Sequence, residues 1–327
     1  MHNYGSIVLD IAGYELSAED KDLLSHPEVL GLILFARNFH SRAQLCALIN
    51  SVYMIKPNCM VMVDHEGGKV QRFLTDFTRL PPASSYGDLF DTVGEQAAIS
   101  KLLVDQAIAA KELLSVGVNV NLGPLLDLDV SHNSVMKDRC YHNVAEVVTI
   151  LSGAAINAAQ SEGLFVTAKH FPGHGWVDAD SHTDLPYDTR DLAEILATDL
   201  IPFIAHRSKY DLLMPAHIIF SKVDSLPVTF SKIWLQDYLR CLWSYSGVII
   251  SDDLSMSASR SFGSLAECGA AALEAGCDIA LMCNDRVGVC EALDYISRTR
   301  SQPSSEFLHN FMVRLQKKLA QEFACPQ

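Results

Sequence analysis

The run Gly247-Val248-Ile249-Ile250-Ser251-Asp252-Asp253 is apolar for the length of a strand and then stops at two carboxylates. Unbroken apolar character marks a strand covered on both faces, as in a parallel sheet, because a strand with one wet face alternates. Met60-Val61-Met62-Val63-Asp64 repeats the pattern. Outward from these two, runs of strand length fall at 6–10, 31–35, 118–122, 165–169, 211–214 and 279–282, with segments of helical period between them, for example 99–117, 145–163, 191–207 and 265–275. Strand alternating with helix is the rhythm of βα units. Gly117, Gly163 and Gly276 each stand just before an expected strand, where glycine ends a helix in the left-handed conformation.

About eight such units favour a closed (β/α)8 barrel of the TIM type, although a doubly wound open sheet shares the local rhythm. The polar residues help to decide. Asp10, Arg37, Asp64, Asn121, Lys169, His217, Asp252 and Asn284 fall at or just past the carboxyl ends of the expected strands, and a closed barrel brings such residues to one mouth. No low-complexity linker divides the chain, so 1–327 reads as a single catalytic barrel domain with 304–323 as a terminal covering helix.

Composition narrows the partners. Of 327 residues, 49% are apolar and 20% charged, an ordinary globular balance. Twenty-five basic against 39 acidic residues give a net charge of −14, which repels polyphosphates and anionic lipid. Nucleic acid and membrane are excluded as partners, and no obligate protein partner or cofactor is indicated. The start at Met1 carries no leader pattern and no apolar run approaches the ~20 residues of a membrane span, so a cytoplasmic location is expected. Nine cysteines without a CxxC pair suit a reducing compartment and read as small buried hydrophobes.

Three stretches carry chemistry. Lys169-His170-Phe171-Pro172-Gly173-His174-Gly175, followed by Asp180-Ser181-His182, packs three histidines, a lysine and an aspartate into one loop after a strand. Asp180 and His182 are two apart, so in an extended segment they project to one side, and a carboxylate bonded to one imidazole nitrogen leaves the other free to give or take a proton. A metal site is the rival reading, since His170, His174, Asp180 and His182 are all ligand types; the spacing matches no zinc motif, and no metal is expected. Asp252 ends an apolar strand, where a carboxylate can attack an anomeric carbon as in retaining glycosidases; Asp253 reads as a cap for the following segment. Asp64-His65-Glu66-Gly67-Gly68 with Arg72 can fork onto sugar hydroxyls or form an ordinary loop salt bridge, and His217 reads as a satisfied core histidine as readily as a catalytic one.

These stretches, as they stand here, resemble the bacterial β-N-acetylglucosaminidases of glycoside hydrolase family 3, of the single-domain NagZ type. The similarity runs nearly end to end through GLILFARNFHS, VDHEGGKVQRF with TRLPP, VNVNLGPLLDLDV, AKHFPGHGWVDADSHTDLP, GVIISDDLSM and EAGCDIALMCN. It implies a barrel enzyme that removes non-reducing terminal N-acetylglucosamine from cell-wall fragments carrying anhydro-muramic acid, in peptidoglycan recycling; the partner would be a small muropeptide or disaccharide. It also implies that Asp252 is the nucleophile, His182 the general acid/base and Asp180 its orienting partner, and that Asp64, Arg72, Arg139, Lys169 and His170 hold the sugar. The chain departs from the family at His65, where glutamine is usual, at Arg139-Cys140-Tyr141, where an RSF-like stretch is usual, and at Pro215, where threonine is usual.

Residues and resemblance both lead to a two-step displacement with retention. Histidine in place of a second carboxylate leaves an alternative open, a glycoside phosphorylase, because an imidazole does not repel phosphate. A metal-dependent hydrolase and a sugar-binding protein without catalysis are the remaining alternatives.

Overall fold

The computed structural model describes residues 4–130, 136–177, 185–299 and 304–324. Asp180 and His182 lie outside the described residues. Eight barrel strands follow the chain: β1 Ile7–Asp10, β2 Val29–Leu34, β3 Met60–Val63, β4 Val120–Asn121, β5 Phe165–Phe171, β6 Leu212–Pro215, β7 Val248–Ile249 and β8 Ala280–Met282. Their neighbours run in chain order from β7 back to β1, with β8 on the far side of β1, and every pair is parallel. A parallel bridge from Ile250 to Ile279 joins β7 to β8 and closes the ring, with Ser251 N donating to Ile279 O at 2.9 Å. The (β/α)8 barrel expected from the apolar runs is therefore the observed fold.

Strand lengths follow local chemistry. β4 stops at Asn121 because Gly123-Pro124 comes next, and proline cannot donate to a ladder. Polar caps start several helices: Ser17, Ser41, Asp191 and Ser264 each accept a backbone N–H of their own first turn. Gly276, at φ 128°, ends Leu265–Ala275 as expected. The helix expected over 191–207 is instead two, Leu192–Leu196 and Leu200–His206. Pro202 accounts for the break, since restarting at Leu200 puts the proline in a first turn, where its missing N–H costs nothing. Arg190 holds the corner by pairing with Asp199 Oδ2 at 2.6 Å.

The core has two main parts. The larger surrounds the barrel, and a satellite of Tyr86, Leu102, Leu128, Tyr141, Val148 and Leu151 lies among helices Ser84–Thr92, Glu95–Ser115 and Ala145–Ser161. Gly87 lets this satellite seat the segment around Tyr141, because a Cβ there would meet Tyr141 O at 2.0 Å. The last helix, Glu306–Ala324, covers the amino ends of the strands: Arg314 pairs with Asp211 at 2.8 Å, and the Phe311 ring packs tilted against Phe165 with centroids 4.8 Å apart.

Candidate active site

A cavity of about 310 Å3 opens at the carboxyl ends of the strands. Asp64, Arg72, Arg139, Lys169, His170 and Asp252 all line it, drawn from β5 and from the segments that follow β3, β4 and β7. Of the eight candidate residues, Asp180 and His182 fall outside the described residues and the other six share this one space.

Five charges alternate across the floor. Arg72 Nη2 donates to Asp64 Oδ2 at 2.9 Å, and Lys169 Nζ lies 2.8 Å from Asp64 Oδ1 and 2.7 Å from Glu66 Oε1. Arg139 then grips Glu66 with two bonds, Nε to Oε2 and Nη2 to Oε1, each 2.8 Å. Burial works against both carboxylates, but Lys169 and Arg72 hold Asp64 well below the usual carboxylate range, and Arg139 and Lys169 hold Glu66 down. Lys169 is likewise opposed by burial and kept protonated by Asp64 and Glu66. Paired buried charges of this kind fix geometry more than they add stability.

Under the loop after β5 sits Asp127, fully buried. It accepts His170 Nδ1 at 2.8 Å, His170 N at 3.1 Å and His174 N at 2.8 Å. The carboxylate therefore fixes both the backbone path and the ring orientation of His170, whose other nitrogen is left for the cavity. Burial, reinforced by His170, lowers the His174 imidazole to about 4.

At β7 the two acids part ways. Asp252 borders the cavity and takes a backbone bond from Asp253 N at 2.8 Å. Burial pushes its carboxyl up, but His217, His170 and Lys169 outweigh it, so the group stays ionised. Asp253 accepts Ser255 N at 2.9 Å, Ser255 Oγ at 2.8 Å and Cys283 N at 3.1 Å, the contacts of a capping residue at the head of the following turn. Burial raises its carboxyl to about 6.

His217 is buried between two hydroxyls, Thr229 Oγ1 2.9 Å from Nδ1 and Ser259 Oγ 2.9 Å from Nε2, and lends positive field to Asp252. His65 is buried against Phe73 and Phe77 at 6.1 and 6.0 Å, and burial lowers it to about 4. Sequence reasoning passed over Glu66 and Asp127. A signal existed for each: Glu66 is two residues past Asp64 and projects to its side in an extended stretch, and Asp127 is an acid inside the apolar run Leu125-Leu126-Asp127-Leu128, costly to bury without partners.

The family model for the glycosyl hydrolase family 3 N-terminal domain matches residues 7–310. This chain belongs to glycosyl hydrolase family 3. The family 3 chain is 42% identical over 301 residues to a Beta-hexosaminidase of Pseudomonas aeruginosa, covering 92% of this chain and 89% of that protein. A Beta-hexosaminidase of Methylococcus capsulatus is 41% identical over 299 residues, 91% of this chain and 88% of that one. NagZ from Neisseria gonorrhoeae, solved in complex with N-trifluoroacetyl-D-glucosamine, superposes with a TM-score of 0.88 at 35% identity over 99% of this chain and 94% of that one. The same protein has also been solved in complex with zinc ion. In the family 3 chain no group of three or more His, Cys, Asp or Glu among the described residues is placed to hold a metal ion. No helix among them is long and apolar enough to cross a membrane. The family 3 chain is a glycoside hydrolase.

Proposed function

We propose that this hydrolase is a retaining exo-β-N-acetylglucosaminidase that works through a covalent glycosyl ester on Asp252. The observation that carries the reading is an ionised carboxylate at a strand tip, bordering the cavity and in contact with no cation among the described residues, facing a floor of paired charges suited to sugar hydroxyls. Relatives named Beta-hexosaminidase, and a related structure holding a glucosamine derivative, support the N-acetylated amino sugar as substrate.

Asp252 attacks C1 as the bond from C1 to the leaving oxygen breaks. The bonding pair goes to that oxygen, which takes a proton from the His182 imidazolium. Water then attacks C1, gives a proton to the neutral imidazole and releases Asp252, with two inversions giving net retention. Asp180 orients the imidazole. Asp64, Arg72, Arg139, Lys169 and His170 hold the sugar. Cell-wall fragments carrying anhydro-muramic acid, met in the cytoplasm during peptidoglycan recycling, are the proposed substrates, and the acidic surface accords with a partner that is a small molecule rather than nucleic acid or membrane.

The test is release of N-acetylglucosamine from 4-nitrophenyl N-acetyl-β-glucosaminide, run beside the glucoside, with and without phosphate and a chelator. Release of the amino sugar alone, indifferent to both additions, is expected. A sugar phosphate product would make the protein a phosphorylase, loss on chelation a metallohydrolase, and no release from either glycoside would sink the proposal.

A further inference from the structure

Glu66 and Asp64 share the tip of β3 but differ in what they have left to offer. Asp64 accepts one bond on each oxygen, from Lys169 and Arg72, which leaves each oxygen a lone pair, and it borders the cavity. Glu66 is more heavily engaged and is not among the residues that line the cavity: Oε2 takes Arg139 Nε, while Oε1 takes Arg139 Nη2 and lies 2.7 Å from Lys169 Nζ. Its side chain is 4% exposed and lies behind the two cations. Both of those cations line the cavity. Arg139 stands on a stretch outside helix and strand, so its fork on Glu66 ties that stretch to the barrel. With Glu66 neutral, Lys169 and Arg139 would face each other with only Asp64 to separate their charges.

We propose that Glu66 is the positioning residue of the sugar site. It neutralises Lys169 and Arg139 together and sets their donors at the spacing that one hydroxyl-bearing ring requires, while Asp64 contacts the ring itself. The role rests on the reading of the cavity as an amino-sugar site. Glu66 touches no reacting atom, so its loss belongs in ground-state binding more than in the chemical step.

The experiment compares wild type, Glu66→Gln, Arg139→Gln and the double variant. It measures kcat and KM on 4-nitrophenyl N-acetyl-β-glucosaminide and, separately, calorimetric Kd for N-acetylglucosamine. Glutamine keeps the shape of Glu66 but turns a donor toward two donors, and is expected to raise KM and Kd by more than about fivefold while kcat moves less than about threefold. In the Arg139→Gln background the same change is expected to add less than about threefold, because the group it positions is already gone. The double variant removes one charge of each sign, so it reports even where Glu66→Gln alone does not fold. A KM within about fivefold of wild type, a fall in kcat alone, or multiplicative effects in the double variant would each overturn the role of Glu66. Wild type that neither turns over nor binds the sugar would overturn the sugar reading as well, whereas active wild type beside an unaltered Glu66→Gln enzyme removes only Glu66.

Discussion

At the tip of β3 two carboxylates, Asp64 and Glu66, each contact two cations; at the tip of β7 two more, Asp252 and Asp253, contact none among the described residues. The first pair is locked by charge, and its oxygens point where the cations hold them. The second pair is held by backbone N–H groups and a serine, so Asp252 keeps lone pairs open to the cavity while distant positive field keeps it ionised. Groups that must grip a ligand gain from rigid pairing, whereas a nucleophile bound to a cation would have to break that bond before attacking. One barrel mouth thus holds carboxylates in two electrostatic settings, which under the proposed mechanism would separate holding from reacting.

Removing the reacting side tests the contrast hardest. Asp252→Ala is expected to lower kcat by roughly 10⁴-fold or more with little change in sugar Kd, and mass spectrometry after a slow 2-fluoro glycoside should find the label on Asp252. Label on another side chain would erase the distinction between the two tips.

A second probe lies just past the end of β3, at the buried His65. Its folded value of about 4 lies below the ordinary 6.5, so between these values the unfolded chain binds a proton that the folded one refuses. Stability is therefore full above 6.5 and lost as pH falls toward 4, a swing of about 3 kcal/mol. His65→Gln should flatten that slope in denaturant titrations at several pH values, and an unchanged slope would assign the acid sensitivity elsewhere.

On the gripping side, Asp64→Asn is expected to raise KM by roughly 10- to 100-fold, the loss of one charged hydrogen bond, and to change kcat far less. A fall in kcat as large as that in kcat/KM would move Asp64 from holding to reacting.

The smallest effect belongs to Asp253. Its folded value of about 6 stands above 3.8, so the fold favours the protonated form; stability is full below about 4 and declines as pH rises through 6. Asp253→Asn should remove that decline, worth on the order of 1–2 kcal/mol once water in the open cavity is allowed for, as read from Tm at pH 4 and pH 7. A decline that persists in the variant would show the capping aspartate to be ionised at little cost, as the acids at β3 are.

The barrel was legible because most of its strands are continuous apolar runs and several helix starts and stops carry their own local marker, such as Ser264 before Leu265–Ala275 and Gly276 after it. The helical segment 191–207 was less legible, because the period continues through the break and Pro202 signals only that a helix begins nearby. Six candidate residues meet in one cavity since strand tips in a closed parallel barrel share one end, and that much follows from position along the chain. Glu66 and Asp127 stayed hidden because an acid in an apolar stretch declares a need for partners without naming them.

The amino-acid sequence by itself determined the alternation of strand and helix, the end of the barrel that gathers polar side chains, and the residue types available there, because hydrophobic period and glycine or capping stops act over a few neighbours. Only the tertiary structure decided the pairings. Arg139 reaches Glu66 across 73 residues and Lys169 reaches Asp64 across 105, and which cation neutralises which carboxylate depends on the closure of the ring and on the satellite core that seats the Arg139 stretch. Charge interactions act through space and are set by distances that no local pattern encodes.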